Sequence, residues 1–229
     1  MTKIMFDVYQ KQIILVVAAH SDDEVLGCGG TILKHIARGD KVHVMFLTNG
    51  VGARGSNNGA HARRIACENV MKIAGVTSFR QLDYPDNQLD RIALLEIVKD
   101  VEDYVHEIKP TIVYTHFEGD LNVDHRICSS AVSTACRPLP ETDHFQIFAF
   151  EVASSTEWST NDNFKPTHFV NIEEFLDAKM KLMSQYEDEI RSFPHPRSLE
   201  AIDALARWRG AISGFRAAEA FLPMQTRWQ

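Results

Sequence analysis

The sequence predicts an α/β fold: an open, mainly parallel sheet with helices on both faces, in a single domain with a C-terminal helical extension. Three observations predict it. Short Val/Ile-rich runs such as residues 13–19 and 41–48 are apolar on both faces, as strands buried in a parallel sheet are. Segments with helical spacing follow them, ended by Gly39, Gly75 and Pro110. Strand and helix then alternate as far as residue 152, which the right-handed crossover rule turns into a parallel sheet covered on both sides.

In order, residues 13–19 form the first strand. Residues 25–37 form a helix with apolar Val25, Leu26, Ile32, Leu33 and Ile36 on one face. Residues 41–48 are the second strand. A Gly/Asn-rich loop over 49–59 is placed to cover a site. A helix at 60–74 precedes a strand at 79–82 and a turn at 83–87. A long amphipathic helix spans 91–109, followed by a strand at 111–114, a helix at 125–136 and a strand at 146–152. In the tail we expect a strand at 168–171, a helix at 172–190, a rigid Pro194-His195-Pro196-Arg197 break and a final helix at 199–210. With no repeat, low-complexity stretch or linker, residues 1–229 are expected to form one domain.

Hydrophobic residues make up 45% and charged residues 24%, ordinary for a soluble globular chain, and the net charge is −7. Lysine and arginine are scattered, which argues against a nucleic-acid partner, whose phosphates need a basic face. Cys28, Cys67, Cys128 and Cys136 show no CxxC pair and are expected to be reduced, buried and apolar in role. No apolar run approaches the roughly 20 residues of a spanning helix, and Asp7 and Lys11 interrupt any leader-like core. A cytoplasmic enzyme is expected; the sequence leaves a homo-oligomer open.

Two clusters carry the chemistry. His20-Ser21-Asp22-Asp23-Glu24 follows the first strand, and a second run from His116 to Arg126 follows a later one. Burying like charges this densely is costly unless a cation or a reaction uses them. Catalytic zinc sites take three protein ligands and leave a fourth position open. His20 and Asp23, three apart on one loop, can turn toward one point, and His125 opens the helix after the later strand. Loops at the carboxyl ends of parallel strands share a crevice, so the topology brings the clusters together. Helix capping accounts for one aspartate per helix start but not for an adjacent pair plus histidines in both places. Gly27-Cys28-Gly29-Gly30 resembles a fragment of a dinucleotide loop, but Ile32 stands where the third glycine belongs, so close packing of the helix on the sheet is expected.

The first cluster resembles the His-Pro-Asp-Asp-Glu signature of the PIG-L/LmbE-like zinc de-N-acetylases. Asn122-Val123-Asp124-His125-Arg126 is similar to that family's second motif, and the likeness extends through the central Pro85-Asp86-Asn87 turn, the His195-Pro196-Arg197-Ser198 segment and an Ala218-Glu219-Ala220-Phe221 run. The resemblance implies a Rossmann-like fold and removal of acetyl from an N-acetylated amino sugar or its conjugate. It implies His20, Asp23 and His125 as ligands of Zn²⁺ (or another divalent metal), and Asp22 as the base. Arg63, Asp86, Asn122, Arg126 and His195 are candidate substrate contacts, with Glu24 and Asp124 as supports behind the ligands. Ser21 replaces the family's proline. Asn122 stands where some members carry a histidine, which leaves Asp22 as first candidate for the general acid and His195 as second. Hydrolysis of another amide, and a non-catalytic nucleotide- or sugar-binding module, are the alternatives.

Overall fold

The computed structural model describes residues 10–50, 57–139, 145–160 and 163–226, with the side chains of 57–60 excepted. Seven strands form one sheet in the order β3-β2-β1-β4-β5-β7-β6. Its parallel part is β1 (Ile13–Ala18), β2 (Lys41–Thr48), β3 (Ser78–Tyr84), β4 (Ile112–His116) and β5 (Gln146–Phe150). β6 (His168–Asn171) and β7 (Ala218–Gln225) extend it in antiparallel pairing, β7 lying between β5 and β6. Helices α1 (Asp23–Ala37), α2 (Asn57–Ala74), α3 (Leu94–Ile108), α4 (Val123–Ala135), α5 (Leu176–Met183) and α6 (Leu199–Ser213) connect these strands.

Alternate residues of β1 supply two cores. Ile14, Val16 and Ala18 pack with α1 and α2, whereas Leu15 and Val17, with Ala19 just beyond the strand, pack with α3 and α4. This two-sided burial is why the strand reads as an unbroken apolar run. From β1 the chain winds outward in one direction through β2 and β3 and in the other through β4 and β5. The β1/β4 boundary is therefore the topological switch point, where loops leave in opposite directions and open a crevice.

The predicted class stands: a mostly parallel sheet with helices on both faces and a distinct C-terminal helical region around α6. Three elements differ from expectation. β7 is an unanticipated strand; Glu219 and Pro223 break its apolar pattern, and the pairing with β5 shifts register near Pro223. The tail helix expected over 172–190 is instead α5 flanked by 3₁₀ turns at Glu173–Phe175 and Glu187–Glu189. The helix expected from residue 91 begins at Leu94, after a 3₁₀ turn at Leu89–Arg91. Most of the loop expected to cover the site, residues 51–56, lies outside the described residues.

Helix α1 begins within the first cluster, at Asp23, and its construction is unusual. Cys28 is non-helical (φ −146°, ψ 23°), so the helix is two pieces joined by a kink. A kink leaves donors and acceptors of the backbone orphaned. The N–H groups of Gly30 and Thr31 donate to the Glu219 carboxylate at 2.8 and 2.7 Å, while Lys179 Nζ donates to the Leu26 carbonyl at 2.9 Å and to Glu219 at 2.7 Å. Both charged side chains are buried. Gly27 lets the first piece lie on the sheet: a Cβ there would fall 2.2 Å from the Phe150 ring. All four cysteines are free and buried, as expected.

Candidate metal centre

The β1 chain end sets the first ligand loop. Ala19 N–H donates to His116 Nε2 at 2.9 Å, tying the end of β1 to the end of β4 and fixing that ring as a proton acceptor at Nε2. His20 N–H then donates to Asp23 Oδ2 at 2.9 Å, closing the loop. Asp22 sits between them with φ 127°, a conformation that L-residues with side chains rarely adopt and that costs on the order of 1–3 kcal/mol. Its carbonyl accepts from Val25 and Leu26 N–H and so starts α1, yet its carboxylate makes no capping bond. Capping accounts for none of this pair: the Asp23 carboxylate faces His20, and α4 is capped by Asn122, whose side chain accepts from Asp124 N–H at 2.8 Å.

His20 Nδ1, Asp23 Oδ2 and His125 Nε2 form a triangle with edges of 3.0, 3.3 and 3.3 Å. Ligands at about 2.0–2.1 Å in a tetrahedral zinc site lie roughly 3.3–3.4 Å apart, so the triangle has the size of one face of such a site. All three residues are buried, and Asp23 Oδ1 is a buried carboxylate oxygen without a hydrogen-bond partner among the described residues. Two imidazole nitrogens and a carboxylate are also the donors zinc takes. The residues fit a divalent ion.

The far side of each ring is held. His20 Nε2 faces Asp124 Oδ2 at 3.1 Å and Asp86 Oδ1 at 3.2 Å, which directs its proton away from Nδ1. His125 Nδ1 faces Asp120 Oδ1 at 3.1 Å, and Asp120 in turn accepts from the Ser155 and Thr156 hydroxyls. Carboxylates behind ligand histidines fix the ring and raise its basicity. His20 Nε2, Asp86 and Asp124 form a second donor group close enough for a cation. Its carboxylates are already engaged: Asp124 accepts from Asn87 and Leu89 N–H, and Asp86 from Arg63 and Asn87. The first group is therefore the better ion site.

Electrostatics agree. Burial acts to lower His20 and His125, but Asp23 with Asp124 in one case and with Asp120 in the other outweighs it, and both rings are raised above the ordinary histidine value. Burial acts to raise Asp23, and the rings of His125, His20 and His116 overcome it, holding the carboxyl well below its usual range. The centre is built to stabilise positive charge. Asp22 differs: burial lifts it to about 6 against the opposing pull of Arg197.

Asp22 and His20 open into a polar cavity of about 200 Å³. Arg63, Asp86, Asn122 and His195 of the expected substrate contacts line it. Arg126 is not brought there; its guanidinium donates to the Asp120 and Leu121 carbonyls of its own loop. Asp124 faces His20 Nε2 at 3.1 Å. Among the described residues Glu24 reaches no histidine and instead accepts Asp22 N–H at 2.9 Å and the Tyr186 hydroxyl at 2.7 Å, with burial pushing its carboxyl up to about 8. Sequence reasoning did not single out Tyr186 or Glu189, and it gave Asp120, within the run from His116 to Arg126, no role. Glu189 bridges Arg63 and Arg197, and Arg197 Nη1 donates to Asp22 Oδ2 at 2.8 Å. Asp120 carried a legible signal, a carboxylate five residues before His125. Tyr186 and Glu189 come from a distant turn with none. Asp120→Ala is expected to weaken zinc binding by about 10- to 100-fold, measured by competition with a chelating dye, whereas unchanged affinity would remove Asp120 from the centre.

The family model described as PIG-L, GlcNAc-PI de-N-acetylase, matches residues 15–136, more than half of the chain. An uncharacterized deacetylase, YaiS, of Escherichia coli is 26% identical over 180 residues, 76% of this chain and 90% of that protein. A diacetylchitobiose deacetylase of Thermococcus kodakarensis is 27% identical over 231 residues, 92% of this chain and 83% of that one. The crystal structure of GalB, a 4-carboxy-2-hydroxymuconate hydratase from a Pseudomonas, superposes with a TM-score of 0.77 at 21% identity, covering 95% and 98% of the two chains; that likeness shows the fold alone. With the family model spanning both clusters, this chain belongs to the PIG-L (LmbE-like) deacetylase family.

Proposed function

We propose that this chain, taken as one domain over 1–229, is a zinc-dependent hydrolase that removes the N-acetyl group from an N-acetylated amino sugar or its conjugate. The observation that carries this reading is a tetrahedral-sized His20/Asp23/His125 donor set beside a further carboxylate, Asp22, facing one polar cavity. His20, Asp23 and His125 would hold the ion, which when bound lowers the pKa of a water from about 15.7 to about 7 and polarises the amide carbonyl. Asp22 takes the proton of the attacking water and delivers it to the nitrogen as the C–N bond breaks, giving acetate and the free amine. Burial raises the Asp22 carboxyl above its ordinary value in the metal-free protein and a bound cation would lower it again, so its place beside the donor triangle and on the cavity is what suits it to both transfers. Arg197 holds the Asp22 carboxylate and is itself held by Ser154, to which its Nε donates at 2.7 Å. Glu24 pins the strained Asp22 peptide.

Arg63, Asp86, Asn122 and His195 are proposed to bind sugar hydroxyls. His195 Nδ1 accepts Arg197 N–H at 3.0 Å, so the neutral ring carries its proton at Nε2. Arg126 is assigned to loop support. Four free, buried thiols support placing the protein in the cytoplasm, a reducing compartment; no described helix is long and apolar enough to cross a membrane. The test is acetate release from a panel of N-acetylglucosamine conjugates. Release by zinc-loaded protein, lost on chelation and restored by zinc, is expected; zinc-loaded protein that releases no acetate from any of them contradicts the reading.

A further inference from the structure

Three successive hydroxyl residues follow β5, and they serve opposite halves of the centre. Ser154 Oγ accepts Arg197 Nε–H at 2.7 Å, and Arg197 in turn donates to Asp22. The Ser155 and Thr156 hydroxyls both donate to Asp120, the carboxylate that faces His125. One side chain of the turn therefore supports the base, and its neighbours support a metal ligand. The reversal between them comes from Ser154, whose φ of 71° is a left-handed conformation that residues with side chains rarely take. Such a backbone persists only where its surroundings over-determine it.

Glu157 supplies that constraint. Its Oε1 accepts Ser154 N–H at 2.7 Å and its Oε2 accepts Ser155 N–H at 3.2 Å. These two N–H groups stand on either side of the Ser154 Cα, so pinning both fixes φ and ψ of that residue. The rest of the turn is held separately, by Thr156 N–H on the Val152 carbonyl at 3.0 Å and Val152 N–H on Thr156 Oγ1 at 2.8 Å. Glu157 itself is exposed and is not among the residues lining the cavity. We infer that Glu157 is a positioning residue for the reaction. Through Ser154 and Arg197 it aims the Asp22 carboxylate, and through Ser155 and Asp120 it aims the His125 ring. This inference rests on the deacetylase reading and adds to it a residue that touches neither metal nor substrate.

The test measures zinc affinity by competition with a chelating dye, and kcat and KM at saturating zinc on the N-acetylglucosamine conjugate that the wild type turns over fastest. Glu157→Ala is expected to lower kcat and to weaken zinc binding by about 10-fold each, with KM within about twofold. Glu157→Gln, which keeps one acceptor oxygen, is expected to fall between it and the wild type. The two branches separate: Ser154→Gly, which tolerates the left-handed backbone, lowers kcat and keeps the zinc affinity, whereas Ser155→Ala weakens zinc binding. A carboxylate that only stabilised the fold would lower Tm and leave kcat at saturating zinc unchanged. A wild-type value of either kcat or zinc affinity in Glu157→Ala overturns the inference, and if that variant does not fold, Glu157→Gln decides on the same two readouts. Should the wild type release no acetate, the deacetylase reading fails. Zinc affinity then decides alone: weaker binding by Glu157→Ala sustains its hold on His125, and equal binding refutes it.

Discussion

Asp22→Asn is expected to lower kcat for deacetylation by about 10²- to 10⁴-fold with zinc content unchanged. The substitution keeps the shape of a side chain that neither caps α1 nor belongs to the His20/Asp23/His125 donor triangle. What it removes is the one carboxylate of the cluster that both faces the cavity and lies outside that triangle and the shell behind it. Asparagine can still face Arg197, so the backbone held by Glu24 has no reason to move, and any loss falls on proton transfer rather than on folding. Acetate release and zinc analysis on the same preparation decide it. A variant with near-normal kcat would remove Asp22 from the chemistry, and one that lost its zinc would place it among the ligands.

Glu219→Ala is expected to destabilise the protein by about 3–5 kcal/mol, because it leaves the buried Lys179 ammonium uncompensated. For a chain of this length that corresponds to a fall in Tm of roughly 10 °C. Exchanging a buried ion pair for apolar residues is often nearly neutral. Here Lys179→Met with Glu219→Leu is expected to recover only part of the loss, since Gly30 N–H, Thr31 N–H and the Leu26 carbonyl would stay orphaned at the α1 kink. Thermal denaturation of the single and double variants checks both statements; full recovery in the double variant would show that the pair does not support the kink.

How much of this was legible in the sequence depended on whether a contact is local. The donor triangle was legible because His20 and Asp23 share one loop and Asp124-His125 follows a recognisable strand, so the parallel topology alone brings them together. The shell around Asp22 was not. Tyr186 and Glu189 lie where continued helix was expected; the chain breaks helix after Met183, and these side chains are buried against Glu24 and against Arg63 and Arg197. A local pattern carries no trace of Glu24 and Arg63, partners more than a hundred residues away. β7 was hidden for a related reason: Glu219 looks wrong for a buried strand until the α1 kink supplies two N–H donors and a lysine. Arg197 was legible as a residue but not as a role, because its partner is named only once the tail folds over the crevice.

The central claim is that His20, Asp23 and His125 together hold one catalytic divalent ion. Metal content after purification without chelators, measured beside acetate release for the wild type and His125→Ala, tests it most directly. The account predicts about one zinc per wild-type chain, and neither zinc nor turnover in the variant. A His125→Ala protein that keeps its full metal content and its activity would contradict it.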